Sequence, residues 1–243
     1  MTSLLRHGAH DVGSRRASVL HTNGAFTTMV LALTFSTGVI DAASYIGLHQ
    51  VFTANMTGNV VFAGLGLSGV EDIPVFRAVT ALGSFLAGAF LVGRLQRGLP
   101  KETRCPTSSA VTLVVAGCGV LVSGVLYAVL PESVVLLDGL TAVLGLAMGA
   151  QAAVARRIAV SDVSTVVVTM TLASWMIDGP LRRDGRAASL RRFGAVTTMV
   201  AGAVTGALVI HVDVTLAFLL CSALMLAVAG AAFFARSPAV TTD

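Results

Sequence analysis

The first long helix predicted from this sequence carries a row of polar side chains on one face. Their spacings are three, four, three and one residues, and positions three or four apart share a helix face: Thr34, Thr37, Asp41, Ser44 and Tyr45. An unpaired carboxylate in hydrocarbon costs at least ~2.5 kcal/mol, so this face must point at protein or water. Asp41 is therefore a candidate proton acceptor or cation ligand. The alternative is a structural carboxylate bonded to Thr, Ser or backbone groups of the next segment.

That next segment begins VFTANMTGN, residues 51–59, and is too polar for a helix that faces lipid. Its hydroxyl and amide groups can satisfy non-helical backbone, which at membrane depth must be covered by protein or line a cavity, and Gly58 permits a tight bend. A helix from about residue 57 to residue 67 would measure ~15 Å, half a bilayer. Its positive N-terminal end would lie inside the membrane, beside Asp41 or an anionic solute. The same polar groups could instead attach the segment to its neighbours.

A second short apolar segment, residues 163–177, resembles the first, residues 52–67. Both contain Thr-x-x-x-Thr and a further polar residue two positions on, and the second has Thr165, Thr169 and Thr171. Each follows a long helix with a polar residue near its end, in Asp41-Ala-Ala and Gln151-Ala-Ala. Their common order predicts an internal repeat in which the neutral Gln151 occupies the place of Asp41.

The composition indicates a membrane protein. Hydrophobic residues make up 55% of the 243 residues and charged residues only 12%, with a mean hydropathy of +0.86, whereas soluble domains carry about 25% charged residues. Six apolar stretches approach or exceed the ~20 residues that span a bilayer: 24–48, 75–95, 110–130, 134–155, 193–210 and 214–235. We therefore predict an all-α integral membrane protein with about six transmembrane helices and two short half-membrane or re-entrant helical segments.

The positions of Lys and Arg favour this count, because short cytoplasmic loops retain basic residues. If the two short segments each enter and leave on one side, fifteen of the 16 basic residues lie in the cytoplasm and only Arg77 lies outside. Both termini are then cytoplasmic. Three crossings per half make the second half inverted relative to the first, a plan that recurs in transporters and channels with a solute site between the repeats.

The predicted domain organisation is a single membrane domain with two tails. Residues 1–23 form a disordered cytoplasmic tail, residues 24–236 the membrane domain with repeat halves of about 24–130 and 134–235, and residues 237–243 the C-terminal tail. The G-x-x-x-G motifs at Gly145/Gly149 and Gly202/Gly206 permit close helix packing, and subunit association into a homo-oligomer is the minor alternative.

Other classes of function find little support. The three cysteines are scattered without ligand spacing, so no disulfide framework or metal site is expected. No motif of a hydrolase, metalloprotease, nucleotide-binding loop or dinucleotide fold occurs, so neither an enzyme nor a cofactor is expected. The arginines flank apolar helices, where topology explains them without nucleic acid.

The sequence therefore predicts a protein in the lipid bilayer that transports or conducts an unknown small solute or ion. The predicted site residues are Asp41, Ser44, Tyr45, Asn55, Thr57, Gly58, Asn59, Gln151, Thr165 and Thr169. The alternative is a non-transporting membrane protein that binds a lipid or a partner subunit and uses the polar stripe for assembly.

Residues 38–67, GVIDAASYIGLHQVFTANMTGNVVFAGLGL, closely resemble the signature of YoaK-type bacterial membrane proteins, a widespread group classed as a domain of unknown function. The match includes the Asp41-Ala42 pair, the aromatic Tyr45 and the N-M-T-G-N core at residues 55–59. The layout of residues 25–234 is also similar. The second half departs from the family, whose members usually have Thr-Gly where this chain has Thr169-Met170. The resemblance implies a bacterial inner-membrane protein and supplies no substrate.

Overall fold

The computed structural model describes residues 2–99, 106–158 and 186–234. These ranges hold seven α-helices: α1 (Thr2–Gly47), α2 (Met56–Leu67), α3 (Val75–Leu95), α4 (Thr107–Val129), α5 (Val134–Ile158), α6 (Arg186–Ile210) and α7 (Val214–Phe234). All except α2 contain a stretch long and apolar enough to cross a membrane. The prediction of an all-α multi-pass membrane protein is confirmed.

Most helix ends lie close to the predicted positions. The bounds of α3 are those predicted, and α2 begins at Met56, next to the predicted start. Helices α4, α5 and α6 extend past their apolar stretches, because polar and basic residues continue a helix beyond the lipid. Helix α1 begins at Thr2, before its apolar stretch. The predicted second short segment, with Thr165, Thr169 and Thr171, lies outside the described residues.

The short helix α2 does not cross the membrane. Arg77, in the first turn of α3, donates from Nη1 to the carbonyl oxygen of Leu48, 3.0 Å away, just after α1. Its Nε donates to Oδ1 of Asp138 near the start of α5, at 2.8 Å. The end of α1 and the start of α3 therefore lie at the same end of the bundle, called here the Arg77 end. The chain between them enters the bundle and returns to that end.

The opposite end of the bundle is joined by a second set of polar contacts. Arg157, at the end of α5, donates from Nη1 to the carbonyl oxygen of Gln96 after α3, at 3.1 Å. The Gln96 side chain donates to the hydroxyl of Ser109 in the first turn of α4, also at 3.1 Å. Together the two ends show that α3, α4 and α5 run antiparallel in turn.

Helices α1 and α5 lie at the centre of the bundle. Within their most apolar windows, 67% and 56% of the residues are buried inside the protein, against 28% for α3 and 17% for α6. The central helices can therefore carry polar groups away from lipid, while the peripheral helices present apolar side chains to it.

Helices α1 and α6 approach so closely that only glycine fits at residues 38, 202 and 206. A Cβ atom on Gly202 would overlap the carbonyl oxygen of Phe35, and one on Gly38 would overlap the carbonyl oxygen of Met199. The contact is reciprocal, since each helix supplies a glycine and a carbonyl three residues before it. Such contacts bring two backbones together where lipid offers no hydrophobic driving force.

The same reciprocal contact joins α3 to α5. A Cβ atom on Gly88 would overlap the carbonyl oxygen of Leu146, and one on Gly149 would overlap the carbonyl oxygen of Phe85. The spacing is again three residues on each helix. The predicted role of Gly149 and Gly202 as packing residues agrees with these contacts.

Two alanine substitutions on α3 should have different effects on stability. Gly88→Ala forces a methyl group against the α5 backbone and should lower the free energy of unfolding by about 1–3 kcal/mol. Gly83→Ala, on the same helix in open space, should leave stability unchanged or raise it by up to ~1 kcal/mol through helix propensity. Denaturation of both purified variants in detergent checks this, and equal stability of the two would contradict the packing described.

Candidate functional site

The chain reverses direction immediately after α1. His49 and Gln50 adopt left-handed backbone conformations, with φ of 56° and 64°, and the His49 ring nitrogen Nε2 lies 2.6 Å from Oε1 of Glu132. The backbone then re-enters the bundle in extended form, and Val51 and Thr53 are fully buried. This segment exposes peptide groups at membrane depth, where each of them needs a protein partner.

The Asp41 side chain supplies those partners. Its Oδ1 accepts hydrogen bonds from the backbone N–H groups of Thr53 and Ala54, at 3.1 and 2.8 Å. Its Oδ2 accepts the backbone N–H of Asn55 at 3.1 Å and also the Asn55 side-chain amide. An ionised carboxylate is the one side chain that accepts this many hydrogen bonds with two oxygens. Asp41 therefore holds residues 53–55 against α1.

Asn59 completes the hydrogen bonding of the re-entrant backbone. Its Oδ1 accepts the N–H of Phe52 at 3.1 Å, and its Nδ2 donates to the carbonyl oxygen of Phe52 at 2.5 Å. Every backbone N–H from residue 52 to residue 55 thus has a side-chain acceptor, from either Asp41 or Asn59. Asn59 is fully buried, and both ends of its amide bond to the Phe52 backbone.

Gly58 and Tyr45 position the Phe52 ring. A Cβ atom on Gly58 would lie 2.6 Å from Cδ2 of Phe52, so the ring fits against the helix only because residue 58 is glycine. The Phe52 ring stacks on Tyr45, with centroids 5.1 Å apart, and on Phe62, with centroids 6.2 Å apart. Both Gly58 and Tyr45 therefore serve packing in this structure.

Ser44 links the same two segments. It accepts a hydrogen bond from the Thr53 hydroxyl at 3.3 Å and donates to the backbone carbonyl of Asp41 at 3.3 Å. Ser44 and Thr53 are both fully buried. Like Asp41, Ser44 attaches the re-entrant segment to α1.

A cavity of about 100 Å³ lies at the N-terminal end of α2, among α1, α2, α3 and α5. Its polar lining comes from a hydroxyl on α1, an amide and a hydroxyl at the start of α2, and an amide on α5; its apolar lining includes the side chains of a phenylalanine and two methionines. The lining residues are Thr37, Ala54, Asn55, Met56, Thr57, Phe85, Met148, Gln151, Ala152 and Ala155.

Gln151 crosses from α5 to α1 on one wall of the cavity. Its Nε2 donates to the carbonyl oxygen of Leu33 and to the hydroxyl of Thr37, both at 3.2 Å, and its Oε1 accepts from the Ser36 hydroxyl at 3.3 Å. Gln151 is almost completely buried. It therefore fixes the distance between the two central helices.

The cavity contains only some of the predicted site residues. Asn55, Thr57 and Gln151 line it, whereas Asp41, Ser44, Tyr45, Gly58 and Asn59 lie beside it or behind it, in contacts within the protein. Thr165 and Thr169 lie outside the described residues. Thr37 belongs to the predicted polar stripe. The sequence did not predict Phe85 and Met148 as cavity residues, because an apolar residue in an apolar helix has the same sequence pattern whether it faces a cavity or another helix.

No charged side chain lines the cavity within the described part of the chain. In the same ranges, no three His, Cys, Asp or Glu side chains come together as a metal site would require. The chemistry available is therefore hydrogen bonding by hydroxyl and amide groups in an otherwise apolar chamber.

The contacts of Asp41 predict a graded loss of stability on substitution. Asp41→Ala leaves the buried N–H groups of residues 53–55 without an acceptor, which should lower the free energy of unfolding by ~3 kcal/mol or more. Asp41→Asn retains one acceptor oxygen and should lose about 1–3 kcal/mol.

Denaturation of the purified variants in detergent measures this series. Asp72→Asn is a suitable control, because Asp72 lies in the exposed connection between α2 and α3 with a left-handed φ of 64° that asparagine tolerates. An Asp41→Ala variant as stable as wild type would show that the carboxylate does not support the re-entrant segment.

Comparisons with known proteins identify a family and a curated relative. Residues 29–231 match the family model described as "Protein of unknown function (DUF1275)". A curated relative, the UPF0700 transmembrane protein YoaK of Bacillus subtilis (strain 168), is 30% identical over 154 residues, covering 62% of this chain and 66% of that protein, just under two thirds of its length. No solved structure matches the chain. The resemblance of residues 38–67 is thereby confirmed, and the chain belongs to the DUF1275 family.

Proposed function

We propose that this protein is a small-solute transporter or channel of the bacterial inner membrane, rather than an enzyme, and that its solute site is the cavity at the start of α2. The observation that carries the proposal is the position of this cavity. It lies where a helix begins inside the membrane, between the two central helices, and it combines hydroxyl and amide groups with an apolar wall. Solute sites of transporters are built from such discontinuous helices.

The glycine contacts support an inverted repeat around this site. On α1, Phe35 and Gly38 take part in the contact with α6, and on α5 Leu146 and Gly149 take part in the equivalent contact with α3. A two-fold operation that exchanges α1 with α5 also exchanges α6 with α3. It would further exchange the α1–α7 and α5–α4 contacts, and both pairs of helices are packed together in the structure.

This register changes the equivalence inferred from the sequence. Aligning Gly38 with Gly149 places Ala152 at the position of Asp41, because each lies three residues further on. Gln151 is one residue out of step and matches Ile40 instead. In this proposed register, a carboxylate in one half matches a methyl group in the other, instead of the predicted match of Asp41 with Gln151.

The proposed orientation rests on charge. Arg77 and its partner Asp138 lie at the Arg77 end, whereas Arg94, Arg97, Arg156 and Arg157 lie toward the opposite end. Since cytoplasmic loops retain basic residues, we place the Arg77 end outside and both termini in the cytoplasm. In this orientation the cavity lies between the start of α2 and the cytoplasmic end of α5, where Ala155 lines it.

The bonding of Asp41 favours the second candidate, a non-transporting membrane protein that binds a lipid or a partner subunit. All of its hydrogen bonds serve the fold, so the polar stripe need not serve a solute. Under this candidate the cavity is a packing defect, and filling it would stabilise the protein without affecting any flux.

A substitution that fills the cavity tests the proposal. Ala152→Leu places a larger side chain in the chamber and should reduce the entry of small solutes into proteoliposomes at least tenfold, with little change in the folded fraction. Ala87→Leu adds the same side chain at an exposed position of α3 and should leave entry unchanged.

Entry is followed by light scattering after osmotic shock with a panel of compact polar solutes. Wild-type vesicles that shrink and recover no faster than protein-free vesicles would contradict transport of these solutes. Equal entry through wild type and Ala152→Leu would place the route elsewhere.

A further inference from the structure

The Asp41 carboxylate lies next to the positive end of α2. Discontinuous helices in transporters often direct their N-terminal end at a negatively charged solute group. Here the backbone N–H groups of Thr53, Ala54 and Asn55, which lead into the first turn of α2, donate to Asp41. The negative charge of Asp41 therefore lies next to the positive end of the α2 dipole, which is equivalent to about half an elementary charge.

Asp41 also fixes the orientation of the Asn55 amide. A carboxylate only accepts hydrogen bonds, so the group that meets Oδ2 of Asp41 is the Asn55 NH₂. The amide oxygen must then point away from Asp41. Because Asn55 lines the cavity and Asp41 does not, this oxygen is the end of the amide that remains for a solute, as a hydrogen-bond acceptor.

The other polar groups of the cavity differ in whether they are free to form hydrogen bonds with a solute. Gln151 and Thr37 bond to each other and to the carbonyl oxygen of Leu33. The Thr57 hydroxyl makes no hydrogen bond within the described part of the chain, and it can donate or accept. A solute would therefore meet an acceptor on Asn55 and an adaptable hydroxyl on Thr57.

The volume limits the solute. A cavity of roughly 150 Å³ holds benzene, and a water molecule takes ~30 Å³ in the liquid. The ~100 Å³ found here therefore admits a solute smaller than benzene, with only a few non-hydrogen atoms.

We propose that the cavity selects a compact solute that donates hydrogen bonds and carries no negative charge, with the Asn55 amide oxygen as the selecting acceptor. The inference rests on the proposed transport function and adds the class of solute. Asp41 acts as the positioning residue, because it holds the amide nitrogen of Asn55 and so turns the amide oxygen toward the solute, and its negative charge lies next to the start of α2.

Guanidinium, urea and nitrate test this selectivity, because they are planar, similar in size and carry positive, zero and negative charge. Guanidinium only donates hydrogen bonds, urea both donates and accepts them, and nitrate only accepts. Uptake of each labelled solute, at millimolar concentration, is measured in proteoliposomes of the full-length protein and in protein-free liposomes. We expect uptake of guanidinium and urea above the protein-free rate, and no such uptake of nitrate.

Thr57→Val removes the hydroxyl at constant shape and should reduce guanidinium and urea uptake roughly two- to tenfold, the value of one hydrogen bond. Thr205→Val is the matched control, because the Thr205 hydroxyl donates to the carbonyl oxygen of Ala201 in its own helix, α6, and to no other group in the described residues. It should leave uptake unchanged.

The outcomes separate the two proposals. Nitrate uptake equal to or above that of urea and guanidinium would overturn the selectivity while leaving a transporter. Uptake of all three at the protein-free rate would overturn the selectivity and count against transport as well. Equal uptake by wild type and Thr57→Val would remove Thr57 from the proposed site.

Discussion

The hydrogen bonds from residues 53–55 to Asp41 are the interaction on which this architecture depends. Backbone that leaves helical geometry inside a bilayer has no water to bond to, so its N–H groups must find protein acceptors. One carboxylate accepts three consecutive N–H groups here, and Asn59 accepts the N–H of Phe52. With those groups satisfied, the chain can turn back, begin α2 at membrane depth and leave space beside it.

Close helix packing is the second requirement, and it explains why the cavity lies where it does. Gly38 and Gly149 bring the peripheral helices α6 and α3 against the central ones at backbone distance. At the level of the cavity, the central helices α1 and α5 are joined by the Gln151 side chain instead of by such a contact. A spacer as long as glutamine keeps the two backbones apart, and the volume between them is not filled by Ala152 or Ala155.

The sequence predicted the helices well, because apolar length and basic flanks are governed by the bilayer itself. The bounds of α3 followed from its apolar run, Val75 to Leu95, and the re-entrant character of α2 followed from the positions of the basic residues along the whole chain, with Arg77 as the exception. The role of Asp41 could not be decided in the same way, since a carboxylate that binds a proton and one that binds backbone have the same spacing. The choice depends on which atoms of residues 53–55 reach it, and only three-dimensional structure supplies that. Phe85 and Met148 could not be predicted as cavity residues, because the apolar pattern of a helix does not distinguish a side chain that lines a cavity from one that packs against another helix.

Asp41 stabilises the fold and, in the proposed transporter, also influences the solute. Asp41 is removed from the cavity by a single side chain, Asn55, and that side chain has two chemically different ends. Holding the NH₂ end fixes the oxygen end, so the negative charge is passed on as an oriented dipole rather than as an exposed ion. In the proposed transporter this separates two tasks that a lone carboxylate would have to combine: Asp41 satisfies the backbone, and Asn55 binds and releases the solute. A hydrogen bond to the Asn55 amide oxygen is weaker than a contact with a carboxylate, and a site that must both bind and release a solute benefits from the weaker contact.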